Sequence, residues 1–109
     1  MNISINNSEW IIRFVSPRNP ILYIGNGEHT YGVTVPSHRA IYIADNIRGD
    51  LFHHVLVHEL FHAEMAARGL NLPIYIEECL CDLVADHELE TINIARNVHN
   101  NLCKYYGRC

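Results

Sequence analysis

Two histidines four residues apart, His58 and His62, enclose a glutamate, Glu59, in the middle of the chain. On a helix, residues four apart lie one turn above each other on the same face, so both imidazoles would point to one place. That spacing suits two ligands of a single zinc ion. Glu59 would lie about 100° further around the helix, where its carboxylate can reach a metal-bound water without being a ligand itself. These residues therefore predict a metal centre with a general base beside it.

The surroundings of the motif favour this interpretation. A shuffled chain of the same composition would contain roughly 0.04 copies of the pattern. The motif lies in an apolar run that includes Leu51, Phe52, Leu60 and Phe61, where unpaired His and Glu side chains would be costly to bury. A bound metal ion removes that cost, so a zinc site explains the run better than a fortuitous match does.

A catalytic zinc ion needs a third protein ligand and one open position, and the next predicted helix carries acidic residues at 77, 78 and 82. Glu78 and Asp82 are four apart and share a face. One can bind the metal while the other accepts a hydrogen bond from the second ring nitrogen of His58 or His62. We therefore predict Glu78 as the ligand and Asp82 as the partner of a ligand histidine, with Glu77 as the alternative ligand. Acidic residues also complement the dipole at a helix N-terminus, but that explanation does not extend inward to Asp82.

Other polar side chains have no assigned place in this pattern. His54 lies four residues before His58, but no carboxylate lies between the two, so we interpret it as a neighbour of the site and not as a ligand. Tyr31, Tyr75 and His87 are candidates for stabilising an oxyanion.

Composition restricts the partners and the compartment. The 109 residues predict one domain, 1–109, and the net charge of −4 with scattered Lys and Arg gives no support to nucleic-acid binding. The N-terminus lacks the features of a signal peptide, and no apolar run approaches the roughly 20 residues of a membrane span. We therefore expect a cytoplasmic protein without a membrane partner, whose Cys79 and Cys81 are thiols. Cys103 and Cys109 could form a pair or bind metal.

The order of elements predicts an α+β fold with a small antiparallel sheet ahead of two helices. Strands are expected at 10–15, 21–24, 30–35 and 40–44, the last three as a meander with short loops. Asp50 can cap a helix from 51 to 68, which Gly69 would end. A second helix is expected from 74 to 86, and residues 88–105 also show helical spacing. Periodicity alone does not decide whether this last stretch continues the second helix.

The sequence H-E-L-F-H at 58–62, followed by Glu78 and Asp82, resembles the H-E-x-x-H…E-x-x-x-D pattern of gluzincin metallopeptidases, the thermolysin clan. The small size and the strands ahead of the motif are more similar to minimal gluzincin domains of phages and mobile elements, relatives of the ImmA/IrrE-type regulatory peptidases. The resemblance covers residues 30–86. It implies a zincin-like fold in which an edge strand, expected at 40–44, lines the cleft and pairs with an extended peptide.

Two functions follow as expectations. The first is a zinc-dependent metalloendopeptidase, with zinc on His58, His62 and Glu78 and with Glu59 as the base; the analogy suggests a specific regulatory protein as its substrate. The second is a zinc-stabilised module that binds a protein partner with little or no turnover, which the short chain favours. Glu59 separates them, because a purely structural zinc site needs no base.

Overall fold

The computed structural model describes residues 1–23 and 27–107, and in these the chain forms a four-stranded sheet and two α-helices. The strands are β1 (Asn2–Ile5), β2 (Ser8–Val15), β3 (Gly32–Val35) and β4 (Ala40–Ala44), and the helices are α1 (Gly49–Ala67) and α2 (Ile74–Tyr106). Short 3-10 helices lie at Pro20–Leu22 and Pro36–His38. The predicted α+β class is confirmed. None of the helices in the described residues is both long and apolar enough to span a membrane.

The sheet is mixed, with the strand order β1-β2-β4-β3, so the prediction of an antiparallel sheet is wrong for one pair of neighbouring strands, β2 and β4. β1 and β2 form an antiparallel hairpin through Asn6 and Asn7, which both have positive φ angles. β3 and β4 also pair antiparallel, as predicted. β2 and β4, however, run parallel, with Ile12 opposite Ile41. After β2 the chain crosses to the far edge of the sheet and forms β3 there. It then returns as β4, which lies between β2 and β3.

The prediction of a strand at 21–24 is also wrong for residues 21–23, which are the part that the structure describes. Pro20–Leu22 is a 3-10 turn, because the Asn19 side chain accepts a hydrogen bond from the Ile21 N–H at 3.0 Å and Pro20 fixes the helical φ angle. Leu22 is fully buried by this turn. Leu22 of this apolar run therefore lies in the core, and the run does not form a strand of the sheet. Ile24 lies outside the described residues.

The strand expected at the sheet edge, β4, is a central strand. It pairs with β2 on one side and β3 on the other, and four of its five residues are buried: Ala40, Ile41, Ile43 and Ala44. Burial on both faces accounts for its nearly continuous apolar sequence. β3 is the strand at the edge, so β3 and not residues 40–44 lies beside the cleft.

Helix α1 packs on one face of the sheet. The core between them contains apolar side chains from both layers, namely Ile5, Trp10, Ile12, Ile41, Ile43, Ile47, Val55 and Ala63. At Gly32 of β3 the helix comes so close that an added Cβ would lie 2.8 Å from Cγ1 of Val55 and 3.0 Å from Cγ of Glu59. Glycine at this position therefore lets the middle of α1 lie directly against the edge strand.

Helix α1 ends where predicted but begins earlier, at Gly49, so Asp50 lies inside its first turn and the prediction that Asp50 caps the helix is wrong. Gly69 follows it with φ +68°, and the Leu70 N–H donates to the Met65 carbonyl at 2.9 Å. The chain then enters α2, which is one continuous helix of 33 residues, so residues 88–105 continue the second helix. Side chains of α1 meet side chains of α2 in reversed order, from His62 with Glu78 to His53 with Glu88. The two helices are thus antiparallel, and the first half of α2 covers the exposed side of α1.

Candidate metal centre and cleft

The two motif histidines of α1 face α2 and converge. Their ring centroids are 4.9 Å apart, and the two Nε2 atoms are separated by 3.2 Å. This is the arrangement that a spacing of four residues on one helix predicts. The structure therefore brings His58 and His62 together at a single point between the helices.

Glu78 of α2 completes a triangle with these two atoms. Its Oε2 lies 3.1 Å from Nε2 of His58, and its Oε1 lies 2.9 Å from Nε2 of His62. Ligand atoms of a tetrahedral zinc ion, at bonds of about 2.0 Å, are about 3.3 Å apart. The three separations, two of which end on different oxygens of Glu78, are close to that value, so two imidazoles and one carboxylate lie close enough together to fit one zinc ion. Glu78 is 48% exposed, which keeps one side of the triangle open.

The other nitrogen of each ring lies against a second carboxylate. Nδ1 of His58 is 2.9 Å from Oδ1 of Asp82, and Nδ1 of His62 is 2.5 Å from Oε2 of Glu77. Asp82 thus lies in the place that the sequence predicts. Glu77, considered above only as an alternative ligand, lies beside the second histidine instead. Two ligand rings call for two acceptors, but only the rotation of α2 relative to α1 decides that Glu77 is the second one.

These contacts make the case for a cation. When each Nδ1–H donates to its carboxylate, both Nε2 atoms carry lone pairs that point at each other and at Glu78. Three electron-rich donors at about 3 Å repel one another unless a proton or a metal ion lies among them. Zinc(II), which prefers imidazole nitrogen and carboxylate oxygen in this number, matches the chemistry of the donors. The described residues thus contain side chains that can bind a metal ion.

Glu59 lies beside the triangle but is not part of it. Its side chain points toward the sheet and is 6% exposed, and the Thr34 hydroxyl of β3 donates to Oε1 at 2.8 Å. Oε2 lies 3.9 Å from Nε2 of His58, a separation at which one water can bridge two groups. Burial raises the pKa of the Glu59 carboxyl above its ordinary value, and the nearby Glu78 adds to this. The Thr34 hydrogen bond and the two histidines oppose the shift.

Cys81 is a neighbour of the site that the sequence analysis assigned no role. It is fully buried, and its sulfur and ring nitrogens of His58 and His62 all lie within 4.8 Å of one another. Burial, reinforced by Glu78 and Glu77, raises the pKa of the Cys81 thiol to about 12. The carboxylate of Glu78 contacts both Nε2 atoms directly, at 3.1 and 2.9 Å, so it is the nearer third donor, with Cys81 as the alternative.

The triangle opens into a cleft of about 960 Å³. β3 forms one wall, with Gly32, Val33 and Thr34, while α1 and the start of α2 form the other. Apolar side chains line the rest, among them Leu51, Val55, Ala66, Leu70 and Ile74. β3 is an edge strand of the sheet, so this wall of the cleft is an unpaired strand edge.

The three candidates for an oxyanion-stabilising residue lie in different places. Tyr31 lines the cleft, beside the first residue of β3. Tyr75 is largely exposed in the first turn of α2. His87 lies further along that helix, 3.5 Å from Glu90. Tyr31 is therefore the candidate that the structure places at the site.

No protein-family model matches this sequence, and neither curated proteins nor solved structures give a significant match.

Proposed function

We propose that this protein is a zinc-dependent metalloendopeptidase that hydrolyses peptide bonds of a protein substrate. One observation carries the proposal. Two imidazoles and a carboxylate converge on one point, and a buried carboxylate that belongs to the same helix lies beside that point without joining it. A structural zinc site has four protein ligands and needs no such neighbour. A hydrolytic site needs both the open position and the base.

His58, His62 and Glu78 hold the zinc ion, while Asp82 and Glu77 fix the orientation and tautomer of the two rings. The chemistry that zinc supplies in such a site is that of a Lewis acid, which polarises a carbonyl group and makes a water molecule more acidic. The protein fold aligns these groups in advance, because each ring is held through both of its nitrogens.

Glu59 moves the proton. With Oε1 fixed by Thr34, Oε2 is the atom that takes a proton from the attacking water. The water oxygen forms a bond to the carbonyl carbon, the C–N bond breaks, and the same proton passes from Glu59 to the leaving nitrogen. The raised pKa of Glu59 suits this task, because a stronger base takes the proton more readily and still releases it to an amine.

The cleft favours an extended polypeptide as the substrate. A peptide strand can add to the free edge of β3 by backbone hydrogen bonds, which places its carbonyl groups along the wall that contains Thr34. The apolar side chains at Leu70 and Ile74 then favour a hydrophobic residue on the side of the scissile bond nearest the start of α2. The resemblance to regulatory peptidases favours one specific protein as the target.

The experiment compares wild-type protein with Glu59→Gln in cells, by mapping protein N-termini across the whole proteome. Glu59 is not one of the proposed zinc ligands, so zinc content should be nearly unchanged and the variant should still fold. We expect new N-termini with the wild type that are absent with Glu59→Gln, because a general base contributes on the order of 10²–10⁴ in rate. Identical N-terminal profiles, with zinc present in both proteins, would refute the enzyme and leave the metal site intact.

A second candidate function has one observation in its favour. Leu70, Leu72, Ile74 and Tyr75, all between α1 and the first turn of α2, are between 41% and 70% exposed. Such an apolar patch at the mouth of a cleft can dock a protein partner. In this case wild type and Glu59→Gln would capture the same partner and produce the same cellular effect.

A further inference from the structure

The pairing of histidines with carboxylates continues one turn beyond the metal centre. His54 lies four residues before His58 on α1, and its Nδ1 is 3.1 Å from Oδ1 of Asp86 on α2. Ligand atoms of His54, His58 and Asp82 all lie within 4.8 Å of one another. Asp82 and Asp86 are four apart and share a face of α2. The His54 imidazole thus has the carboxylate of Asp86 at 3.1 Å and that of Asp82 within 4.8 Å.

We propose that His54, Asp82 and Asp86 form a second divalent-cation site, separate from the zinc site formed by His58, His62 and Glu78. This site goes beyond the proposed function, since binding there does not require that the protein cleave peptides. The side chains of the three ligands are 39%, 61% and 52% exposed, so water can supply the remaining ligands. One imidazole and two carboxylates without a thiolate form a donor set that suits manganese(II) as well as zinc(II).

Asp82 links the two sites. Its Oδ1 accepts a hydrogen bond from Nδ1 of His58, and a carboxylate has a second oxygen that can bind a cation at the same time. A cation on Asp82 withdraws negative charge from that hydrogen bond and so weakens the support of the His58 ring. By linkage, a cation at the second site lowers the zinc affinity of the first, and zinc at the first lowers the affinity of the second equally. His54 and Asp82 both line the cleft, so the second ion would also face a bound substrate.

The test uses Mn²⁺ on the full chain after one equivalent of zinc has been added. Mn²⁺ is the weakest binder among the first-row divalent ions and does not displace zinc from the tighter site. Thiols bind it poorly, so the cysteines do not compete. Loss of the electron paramagnetic resonance signal of free Mn²⁺ gives the amount bound. We expect about one Mn²⁺ per chain for the wild type and an affinity about tenfold lower, or weaker still, for His54→Gln and Asp86→Asn.

A matched control lies next to the site. His53 and Glu88 form another exposed pair between the same helices, with 2.5 Å between Nε2 and Oε1, but they are not part of the proposed ligand set. His53→Gln should therefore bind Mn²⁺ as the wild type does. His62→Ala separates this proposal from the proposed zinc site, because it removes a zinc ligand and retains all three ligands of the second site. We expect it to lose zinc and still bind Mn²⁺.

Two results would overturn the second site. One is a wild type that binds no Mn²⁺, which would mean that His54 and Asp86 form only an ion pair. The other is Mn²⁺ binding that persists unchanged in both His54→Gln and Asp86→Asn. The zinc content of each sample is measured separately by elemental analysis, so a failure of the zinc site can be distinguished from a failure of the second site.

Discussion

Two neighbouring rows of side chains on α1 have the same spacing and opposite environments. His54, His58 and His62 face α2, where every imidazole lies within about 3 Å of a carboxylate at the edge of the solvent. One position further along, residues 55, 59 and 63 face the sheet, and all three are buried. In that second row Glu59 is a carboxylate between valine and alanine, with one hydroxyl, from Thr34, as its hydrogen-bond donor.

The difference indicates how a single helix would separate metal binding from proton transfer in the proposed hydrolytic site. The histidine row is rich in paired charges and is therefore suited to binding a cation. The buried row holds one carboxylate in an apolar environment, which lowers the stability of the fold. Burial in apolar surroundings is the usual means of making a carboxyl group a stronger base. Changes in the first row should affect metal affinity, and changes in the second should affect reactivity and stability.

The largest effect is expected from the histidine row. His58→Ala and His62→Ala each remove one of three zinc ligands, so elemental analysis after dialysis should find about one zinc per wild-type chain and none in either variant. His53→Ala, which removes an exposed imidazole of the same helix, should retain its zinc. Equal zinc content in all four proteins would mean that the ion, if bound, lies elsewhere.

The carboxylates of α2 should follow with graded effects. Glu78→Gln removes a ligand and should weaken zinc binding by orders of magnitude, whereas Asp82→Asn and Glu77→Gln should each cost about 10–100-fold, because each removes the acceptor of one ring N–H. Cys81→Ser should have the smallest effect of the four. Competition with a chromophoric chelator gives the ranking, and a larger loss for Cys81→Ser than for Glu78→Gln would assign the third position to the thiol.

The close approach of the buried row to β3 can be tested at Gly32. In Gly32→Ala the new Cβ would clash with Cγ1 of Val55 and Cγ of Glu59, so the free energy of unfolding should fall by about 1–3 kcal/mol. Urea denaturation measures this change. In a Val55→Ala background the same substitution should cost less, because the closest atom is gone. An equal cost in both backgrounds would place the strain outside this contact.

The smallest effect is a pH dependence of stability in the metal-free protein. Burial raises the pKa of Glu59 in the folded state, so the folded state favours the protonated carboxyl. The stability that this group contributes is full below its ordinary pKa of 4.5 and is lost as the pH rises through the raised value. Glu59→Gln cannot ionise and should therefore lose less stability than the wild type over that range. Parallel curves of melting temperature against pH would contradict the raised pKa.

Much of the site could be predicted because its parts are local. The spacing of His58 and His62 is a property of one helix, and Gly69 marks the end of that helix by its conformational freedom. Glu78 and Asp82 share a face whatever the helix packs against. The role of Glu77 depends on how α2 is rotated about its axis relative to α1, which no local pattern specifies. The partner of His62 was therefore not predicted.

The sheet was predicted less well because its pairing is not local. The hairpin of β1 and β2 was missed, although Asn6 and Asn7 are residues that tolerate the positive φ angles found there. The parallel pairing of β2 with β4 places β3 at the edge, and only this long-range order brings Thr34 to Glu59. The environment of the proposed base thus depends on the topology of the sheet, whereas the spacing of the two histidines is a property of α1 alone.

A crystal structure of the zinc-bound protein, with the ion located by its anomalous scattering, tests the central claim most directly. The account predicts one strong peak about 2.0–2.2 Å from Nε2 of His58, Nε2 of His62 and a carboxylate oxygen of Glu78. Glu59 should remain hydrogen-bonded to Thr34 and outside the ligand set. A peak bonded to Cys81 or to Glu59, or one remote from the two histidines, would contradict the division between the metal-binding row and the buried base.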